Sequence, residues 1–168
     1  FIQGEAGDRF AVRNSGASAV VEGVGDFCAE YMTNGAVLNL GSFSKGFGNG
    51  MSGGFAYQYD PLGKLPDMIS HDSVFAGTFA DGSEQATIHE SSVKLLLQWH
   101  YEATGSERAR NLLDDWNTAR EHMYWIMPKA LLQYQDATAI FAARSKKDLI
   151  AELAVATAID QIDRLKKA

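Results

Sequence analysis

Residues 1–60 alternate short apolar runs with clusters of glycine and small polar residues, and the alternation has a fixed period. Residues 14–17, 33–36 and 52–55 place glycines at positions 16, 35 and 54, which gives two equal intervals and a 19-residue period. Glycine with small polar residues is typical of turns, and the β-branched and aromatic residues that follow each cluster are typical of strands. The pattern predicts three corners, each followed by a short strand.

A regular repeat of this length indicates a solenoid, in which each turn of the chain stacks on the one before. Its parallel strands would align apolar positions in a column made of Val20 or Val21, Val37 or Leu38, and Ala56 or Tyr57, and the strand register decides which. Glycine is expected at a corner where φ is positive or where a neighbouring turn leaves no space for a Cβ atom. The predicted structural corners are Gly16, Gly35, Gly54, Gly23 and Gly41.

The second half of the chain has a helical pattern. Fourteen of the 16 glycines precede residue 82, and the remainder is rich in helix-forming residues. This change divides the chain into a solenoid segment with a trailing loop, residues 1–81, and a helical region, residues 82–168. Apolar spacing predicts helices over residues 83–104 and 107–125, the second stopped by Pro128, with further helices over 129–141 and from 145 onward.

Composition and charge narrow the classes of partner. The chain has 168 residues, 46% of them apolar, and a net charge of −6 without basic clusters, which argues against nucleic acid and anionic membranes as partners. No apolar run reaches the roughly 20 residues of a membrane-spanning helix. The single cysteine, Cys28, forms no internal disulfide, and a cytoplasmic location is the default interpretation.

Several short motifs have the letters of a catalytic or binding site. Residues 48–53 fit GxGxxG, but a dinucleotide site needs a helix after the glycines, and a strand pattern follows here. Cys28 has no base nearby in the sequence and is interpreted as a buried apolar residue. The sequence therefore indicates no catalytic, cofactor-binding or metal-binding residue in this chain.

The remaining polar candidates have ordinary structural interpretations. His71-Asp72-Ser73 has the residue types of a hydrolase triad, but triad members come from separate elements. The histidines on predicted helices lack a second ligand at i+3 or i+4, and two adjacent helical carboxylates point in different directions. These residues are His89, His100, His122, Asp114 and Asp115, and the aromatic side chains of Trp99, Trp116, Tyr124 and Trp125 are assigned to the core.

A family resemblance enters at this point, because residues 4–17, 20–26, 30–33 and 50–54 resemble the C-terminal domain of the glutamate synthase large subunit. The similarity continues more loosely through residues 104–109, Trp116 and Met127-Pro128, and it ends near residue 135. The chain departs from the family pattern at Phe27-Cys28-Ala29 and at residues 43–46, which affects loop detail.

The resemblance implies a right-handed parallel β-helix, here of about three turns and truncated at its N-terminal end, followed by an α-helical C-terminal region. In that family the domain braces its neighbours and has no catalytic residue. The parent enzyme makes glutamate from glutamine and 2-oxoglutarate with FMN, an iron–sulfur cluster and electrons from NAD(P)H or ferredoxin. By resemblance, this chain binds none of these cofactors and is inactive alone.

Two interpretations of function follow. In the first, the chain is a scaffolding piece of such an oxidoreductase, and its partners are the other domains and the electron-donating subunit. In the second, it is a stand-alone β-helix subunit or interaction module that resembles the small subunit of formylmethanofuran dehydrogenase. Because Phe1 stands in place of methionine, we expect a fragment in which residues 1–17 form an exposed solenoid end, through which it could self-associate.

Overall fold

The computed structural model describes residues 1–82 and 84–130. Within them the chain forms five strands and four α-helices. In order along the chain these are β1 (Ser15–Gly23), β2 (Asn34–Ser42), β3 (Phe55–Tyr59), α1 (Leu65–Met68), β4 (Val74–Thr78), α2 (Glu84–Thr104), α3 (Glu107–Asp114), α4 (Trp116–Ala119) and β5 (Met123–Pro128). Single 3₁₀ turns at Phe79–Asp81 and Arg120–His122 precede α2 and β5.

The five strands form one open sheet of mixed direction in the order β1-β2-β3-β5-β4. The pairs β1–β2 and β2–β3 are parallel, and Leu38 pairs with Val20 on one side and Tyr57 on the other. Strand β5 runs antiparallel to both β3 and β4. The register therefore assigns Val20, Leu38 and Tyr57 to one column, which resolves the alternatives that the sequence left open.

Both faces of the sheet are buried, which explains the nearly continuous apolar runs in the first three strands. Val20, Leu38 and Tyr57 belong to a core that packs against α2, α3 and α4. Val21, Val37 and Ala56 alternate with them and belong to a second core on the opposite face. The sheet thus separates two apolar layers.

The second core is closed by three stacked segments, residues 8–13, 26–31 and 45–50, which we call the return segments. The first precedes β1, and the other two carry the chain from β1 to β2 and from β2 to β3. They stack through backbone hydrogen bonds: Arg9 N donates to Asp26 O at 2.7 Å, and Phe27 N donates to Lys45 O at 2.9 Å. Each has positive φ at three alternating residues, namely Arg9, Ala11 and Arg13; Phe27, Ala29 and Tyr31; and Gly46, Gly48 and Gly50.

The prediction of a right-handed parallel β-helix is wrong. The structure is a small mixed α/β domain built on an open five-stranded sheet. The periodic pattern stops after β3, where Pro61 enters an irregular connection, and the free edge of β3 pairs with antiparallel β5 instead of a further parallel turn. The side of each turn opposite the sheet is made of turns with positive φ and contains no strand in the described residues.

The helical region also differs from its prediction. Helix α2 coincides with the predicted helix over residues 83–104, but the helix predicted over 107–125 ends at Asp114. Residues Met123–Pro128 form β5, whose Trp125 and Ile126 pair with β3 and β4. The helix predicted from residue 145 onward, and nearly all of that over 129–141, lie outside the described residues.

Candidate functional site

The third return segment has the sequence Gly46-Phe47-Gly48-Asn49-Gly50, with φ of +73°, +72° and +64° at its glycines. A Cβ atom at Gly46 would lie 2.4 Å from the Phe27 ring, and one at Gly50 would lie 2.4 Å from the Tyr31 ring. Both aromatic residues belong to the preceding return segment. The glycines are therefore required both by the left-handed backbone and by the side chains stacked on them.

The same backbone conformation occurs without glycine in the first two return segments, where φ lies between +53° and +58° at the six equivalent residues. Sequence reasoning missed this motif because it aligned residues 48–53 with GxGxxG. The signal was present, since Gly46, Gly48 and Gly50 follow Phe27, Ala29 and Tyr31 by the same period as the corner glycines. Gly53 is followed by strand β3, so these glycines do not open a helix.

Four of the five predicted corners lie close to neighbouring residues, whereas a Cβ atom at Gly16 would meet nothing within 4 Å. Gly16, Gly35 and Gly54 have φ of +147°, +94° and +75°, and a Cβ atom at Gly35 would lie 2.4 Å from the carbonyl oxygen of Ala17. At Gly41 a Cβ atom would lie 1.7 Å from the carbonyl oxygen of Glu22. At Gly23 the nearest atoms belong to side chains, including Ser42 Oγ at 2.7 Å. Backbone contact thus constrains Gly35 and Gly41 most directly.

A buried polar cluster joins the helices to the end of β1, and we call it the joint: Glu22, His100 and Ser106. His100 Nε2 donates to Glu22 Oε1 at 3.1 Å, and Ser106 Oγ donates to the same oxygen. Ser106 also caps α3 by accepting a hydrogen bond from Ala109 N at 3.1 Å. One carboxylate therefore fixes both α2 and α3 against the sheet.

Burial lowers the pKa of His100, although the hydrogen bond and the charge of Glu22 oppose this shift. The side chain of His100 is fully buried, and its Nδ1 has no hydrogen-bond partner among the described residues. A neutral imidazole with its proton on Nε2 is sufficient for the hydrogen bond from His100 to Glu22. The joint is therefore suited to holding elements together.

A second buried pair lies in the core under α2. The Tyr57 hydroxyl lies 2.7 Å from His89 Nδ1, and the imidazole stacks on the indole of Trp125 with a centroid separation of 6.3 Å. Burial lowers the pKa of His89 to about 4 and raises the pKa of Tyr57. At neutral pH the tyrosine hydroxyl is therefore hydrogen-bonded to a neutral imidazole.

Amide side chains continue the polar pairing at the ends of β2 and β3. Asn39 Nδ2 donates to Gln58 Oε1 at 2.7 Å and to Ser42 O at 2.8 Å, while Gln58 Nε2 donates to Gly41 O at 2.9 Å. Both side chains are fully buried. Because each polar group here is satisfied, the pairing fixes the register of the two strands.

A groove of about 550 Å³ opens beside these amides, at the carboxyl ends of β2 and β3. Its apolar lining includes Leu40, Phe43, Tyr59, Leu62 and Met68, and the charged residues in the lining are Asp60, Lys64 and Arg108. Volumes of this size are common for small-molecule binding sites. We call it the strand-end groove.

The other candidates from the sequence do not come together as a catalytic site. Burial raises the pKa of the Cys28 thiol to about 12, so it is not poised as a nucleophile. His71 and Asp72 are exposed, and Ser73 Oγ instead accepts a hydrogen bond from Gly50 N at 2.8 Å. His122 packs edge-on against the Tyr59 ring.

The adjacent carboxylates also serve different local structures. Asp114 lies 3.5 Å from Arg110 in an exposed pair one helical turn apart. Asp115 lies between α3 and α4. Of the four aromatic residues assigned to the core, Trp99, Trp116 and Trp125 are each 8% exposed, whereas Tyr124 is only partly buried and packs against the second core. Trp116 Nε1 also donates to Glu90 Oε1 at 2.6 Å.

Within residues 1–82 and 84–130, no three histidine, cysteine, aspartate or glutamate side chains are placed to hold a metal ion. An iron–sulfur cluster needs several thiolates, and the sequence has one cysteine, Cys28, which is buried. The residues present therefore do not fit such a cluster. None of the helices in the described part of the chain is long and apolar enough to cross a membrane.

The domain is characterised by stacked return segments in which positive φ alternates along the chain. The last of them contains the glycine pattern Gly46-Phe47-Gly48-Asn49-Gly50. The sequence profile of the GXGXG motif family matches residues 1–129, and the chain belongs to that family. The resemblance drawn from the sequence is thereby confirmed at the level of the family.

The chain is similar to glutamate synthases. It is 37% identical to the chloroplastic ferredoxin-dependent glutamate synthase of Spinacia oleracea, over 84% of this chain and 8% of that protein. It is 42% identical to the NADH glutamate synthase of Schizosaccharomyces pombe, over 82% of this chain and 6% of that protein. It is 38% identical to the large chain of the NADPH glutamate synthase of Bacillus subtilis, over 77% of this chain and 8% of that protein. The matched region spans less than a tenth of each relative.

Proposed function

We propose that this chain is the scaffolding domain of a glutamate synthase large subunit, with no catalytic residue of its own. The observation that carries the proposal is the match of residues 1–129 to one domain of proteins whose names state glutamate synthesis. The structure supports a mechanical role, because its buried polar groups in the joint and in the amide pair are engaged in holding elements together.

The parent enzyme would make glutamate from glutamine and 2-oxoglutarate. FMN, an iron–sulfur cluster and an electron donor, either NAD(P)H or ferredoxin, would be held by its other domains. The names of the relatives include ferredoxin, NADH and NADPH as donors, so the donor of the parent is left open. The proposed partners are those other domains and the electron-donating subunit, and the proposed location is the cytoplasm.

Reading the coding sequence upstream of Phe1 tests this proposal. An open frame that encodes a flavin-binding domain supports it, and a start codon immediately before Phe1 would overturn it. Titration of the isolated chain is the second test. We expect no saturable binding of FMN or 2-oxoglutarate, and saturable flavin binding would show that the chain is more than a scaffold.

Self-association through residues 1–17 stays a prediction. Phe1, Ile2 and Val12 in this segment are 41%, 43% and 39% exposed, and Ile2 pairs with Val21 at the edge of the sheet. Size-exclusion chromatography of the isolated chain provides the measurement. A monomer at all concentrations would contradict this prediction without bearing on the scaffold proposal.

A further inference from the structure

The strand-end groove has an apolar floor and an exposed apolar rim. Leu40 is 1% exposed and lies at the base, while Leu62 on the rim is 71% exposed. Phe43 and Met68, both half-buried, also line the groove. An apolar side chain from another segment would find contacts on several sides here.

Two cations at this groove retain hydrogen-bond donors. Arg108 Nη1 donates to Leu40 O at 3.0 Å and lies 3.5 Å from Glu22 O, while its Nε and Nη2 have no acceptor among the described residues. Lys64 is exposed. Neither cation forms an ion pair within the part of the chain that the structure describes. Guanidinium and ammonium groups in this state are suited to receive a carboxylate.

The carboxylates near the groove already have partners. Asp60 is 3% exposed, and its two oxygens accept hydrogen bonds from Leu62 N at 3.1 Å and Leu65 N at 2.7 Å. Glu5 Oε1 accepts a hydrogen bond from Ser42 Oγ at 3.2 Å. The acidic groups here are therefore engaged by donors of this chain, and the free donors belong to Arg108 and Lys64.

We propose that the strand-end groove binds an extended protein segment in which an apolar side chain is flanked by acidic residues. The apolar side chain packs among Leu40, Phe43 and Leu62, and the carboxylates meet Arg108 and Lys64. That this segment belongs to a neighbouring domain of the parent rests on the proposed function. The preference of the groove for such a segment rests on the geometry alone.

The test titrates two blocked hexapeptides into the isotopically labelled full-length chain and follows amide chemical shifts. The peptides are GLEFEG and its neutral counterpart GLQFQG, both acetylated and amidated. We expect shifts at Ser42, Leu62 and Arg108, and about tenfold tighter binding of the acidic peptide, because charge-assisted hydrogen bonds contribute more than neutral ones. Equal affinity for the two peptides, or no shifts at millimolar peptide, would overturn the proposal.

Variants locate the binding site. Lys64→Gln removes an exposed cation and should weaken binding of GLEFEG about threefold to tenfold, since it removes one charged contact. Leu62→Ser should weaken both peptides. Lys129→Gln, an exposed cation outside the groove, is the matched control and should leave both affinities unchanged. If the Lys64→Gln and Leu62→Ser variants bind the peptides as tightly as the unsubstituted chain does, the peptides bind elsewhere and the assignment of the site is wrong.

Arg108→Gln tests the second cation of the groove. Because it also removes the hydrogen bonds to Leu40 O and Glu22 O, the amide spectrum of this variant must first show an unchanged fold. Free glutamate at the same concentration separates a segment from a small carboxylate. Shifts of equal size with glutamate would overturn the proposed segment in favour of a small ligand. Because these measurements use the chain alone, their failure leaves the scaffold proposal standing, and an upstream start codon leaves the groove proposal standing.

Discussion

At the scale of single residues, Gly41 is limited by space and not by φ. A Cβ atom there would lie 1.7 Å from the Glu22 carbonyl oxygen and 2.8 Å from Arg108 Nη1. We expect Gly41→Ala to lower the free energy of unfolding by about 3 kcal/mol or more, because the backbone of β1 must move. Urea unfolding followed by circular dichroism measures the loss.

Gly7→Ala is the matched control for this substitution, because a Cβ atom at Gly7 meets nothing within 4 Å. It should change the free energy of unfolding by less than about 1 kcal/mol. If both alanine variants have the same stability, β1 and β2 are not as close at Gly41 as the structure shows.

Another residue-scale effect concerns pH and His89. Burial lowers the pKa of His89 to about 4 in the folded chain, whereas an unfolded histidine has a pKa of about 6.5. Below pH 6.5 the unfolded chain binds this proton first, so stability falls as the pH falls toward 4. From the two pKa values we expect a loss of roughly 3 kcal/mol between pH 7 and pH 4 from this group.

Unfolding in urea at a series of pH values checks the pH dependence. The double variant His89→Phe with Tyr57→Phe removes both polar partners and should reduce the loss of stability between pH 7 and pH 4. A smaller loss should remain, because the pKa values of His100 and Glu90 are also lowered in the folded chain. Ser91→Ala, at an exposed position without a titratable group, should keep the full slope. A slope unchanged in the double variant would assign the effect to other groups.

At the scale of elements, the joint attaches α3 to β1. Ser106→Ala removes both the cap on Ala109 N and the hydrogen bond to Glu22. Caps contribute about 1 kcal/mol, and a carboxylate that loses a buried donor adds a similar cost, so we expect a loss of roughly 2 kcal/mol. Hydrogen exchange should accelerate most in α3.

Ser91→Ala, at an exposed position in α2, serves as the control and should be neutral or slightly stabilising because alanine favours helix. Equal exchange rates in α3 for Ser106→Ala and the parent chain would contradict the role of the joint.

The elements also show which structural features the sequence could predict. The succession of β1, β2 and β3 as parallel strands follows from local turn chemistry that recurs at equal intervals, so it was accessible. Their register was not, because a shift between Ser15 and Ser18 pairs Val20 with Leu38. The closing of the sheet was not, because β5 depends on a pairing of Tyr57 with Trp125 that no local pattern encodes. An apolar run such as that over 123–127 fits a buried strand as well as a helix, and tertiary pairing decides between them.

The site was predictable to a similar degree. The corner glycines could be located from their spacing, since turn chemistry is local. The joint was inaccessible, because Glu22 meets His100 and Ser106 across long sequence separations and nothing near Glu22 distinguishes it from a surface carboxylate. The strand-end groove likewise depends on Arg108, which lies far in sequence from the strands it contacts.

At the scale of the whole molecule, β5 connects the two parts that the composition separates. It follows the helices in sequence, yet it lies between β3 and β4 in the sheet. Ile126 in β5 is fully buried and pairs with Ala56 on one side and Ala76 on the other. We therefore propose that the parts on either side of residue 82 unfold as one cooperative unit.

Ile126→Ala tests this cooperativity, because it removes core volume from β5 alone. Truncating a buried isoleucine to alanine lowers the free energy of unfolding by about 2–5 kcal/mol. In a single cooperative unit, every element loses this same free energy. The slowest exchanging amides of β2 and α2 should therefore lose the same free energy of opening. Leu62→Ala, at an exposed side chain, should change neither. If the amides of β2 lose protection while those of α2 keep theirs, the helices are stable without the sheet and the chain contains two separate folding units.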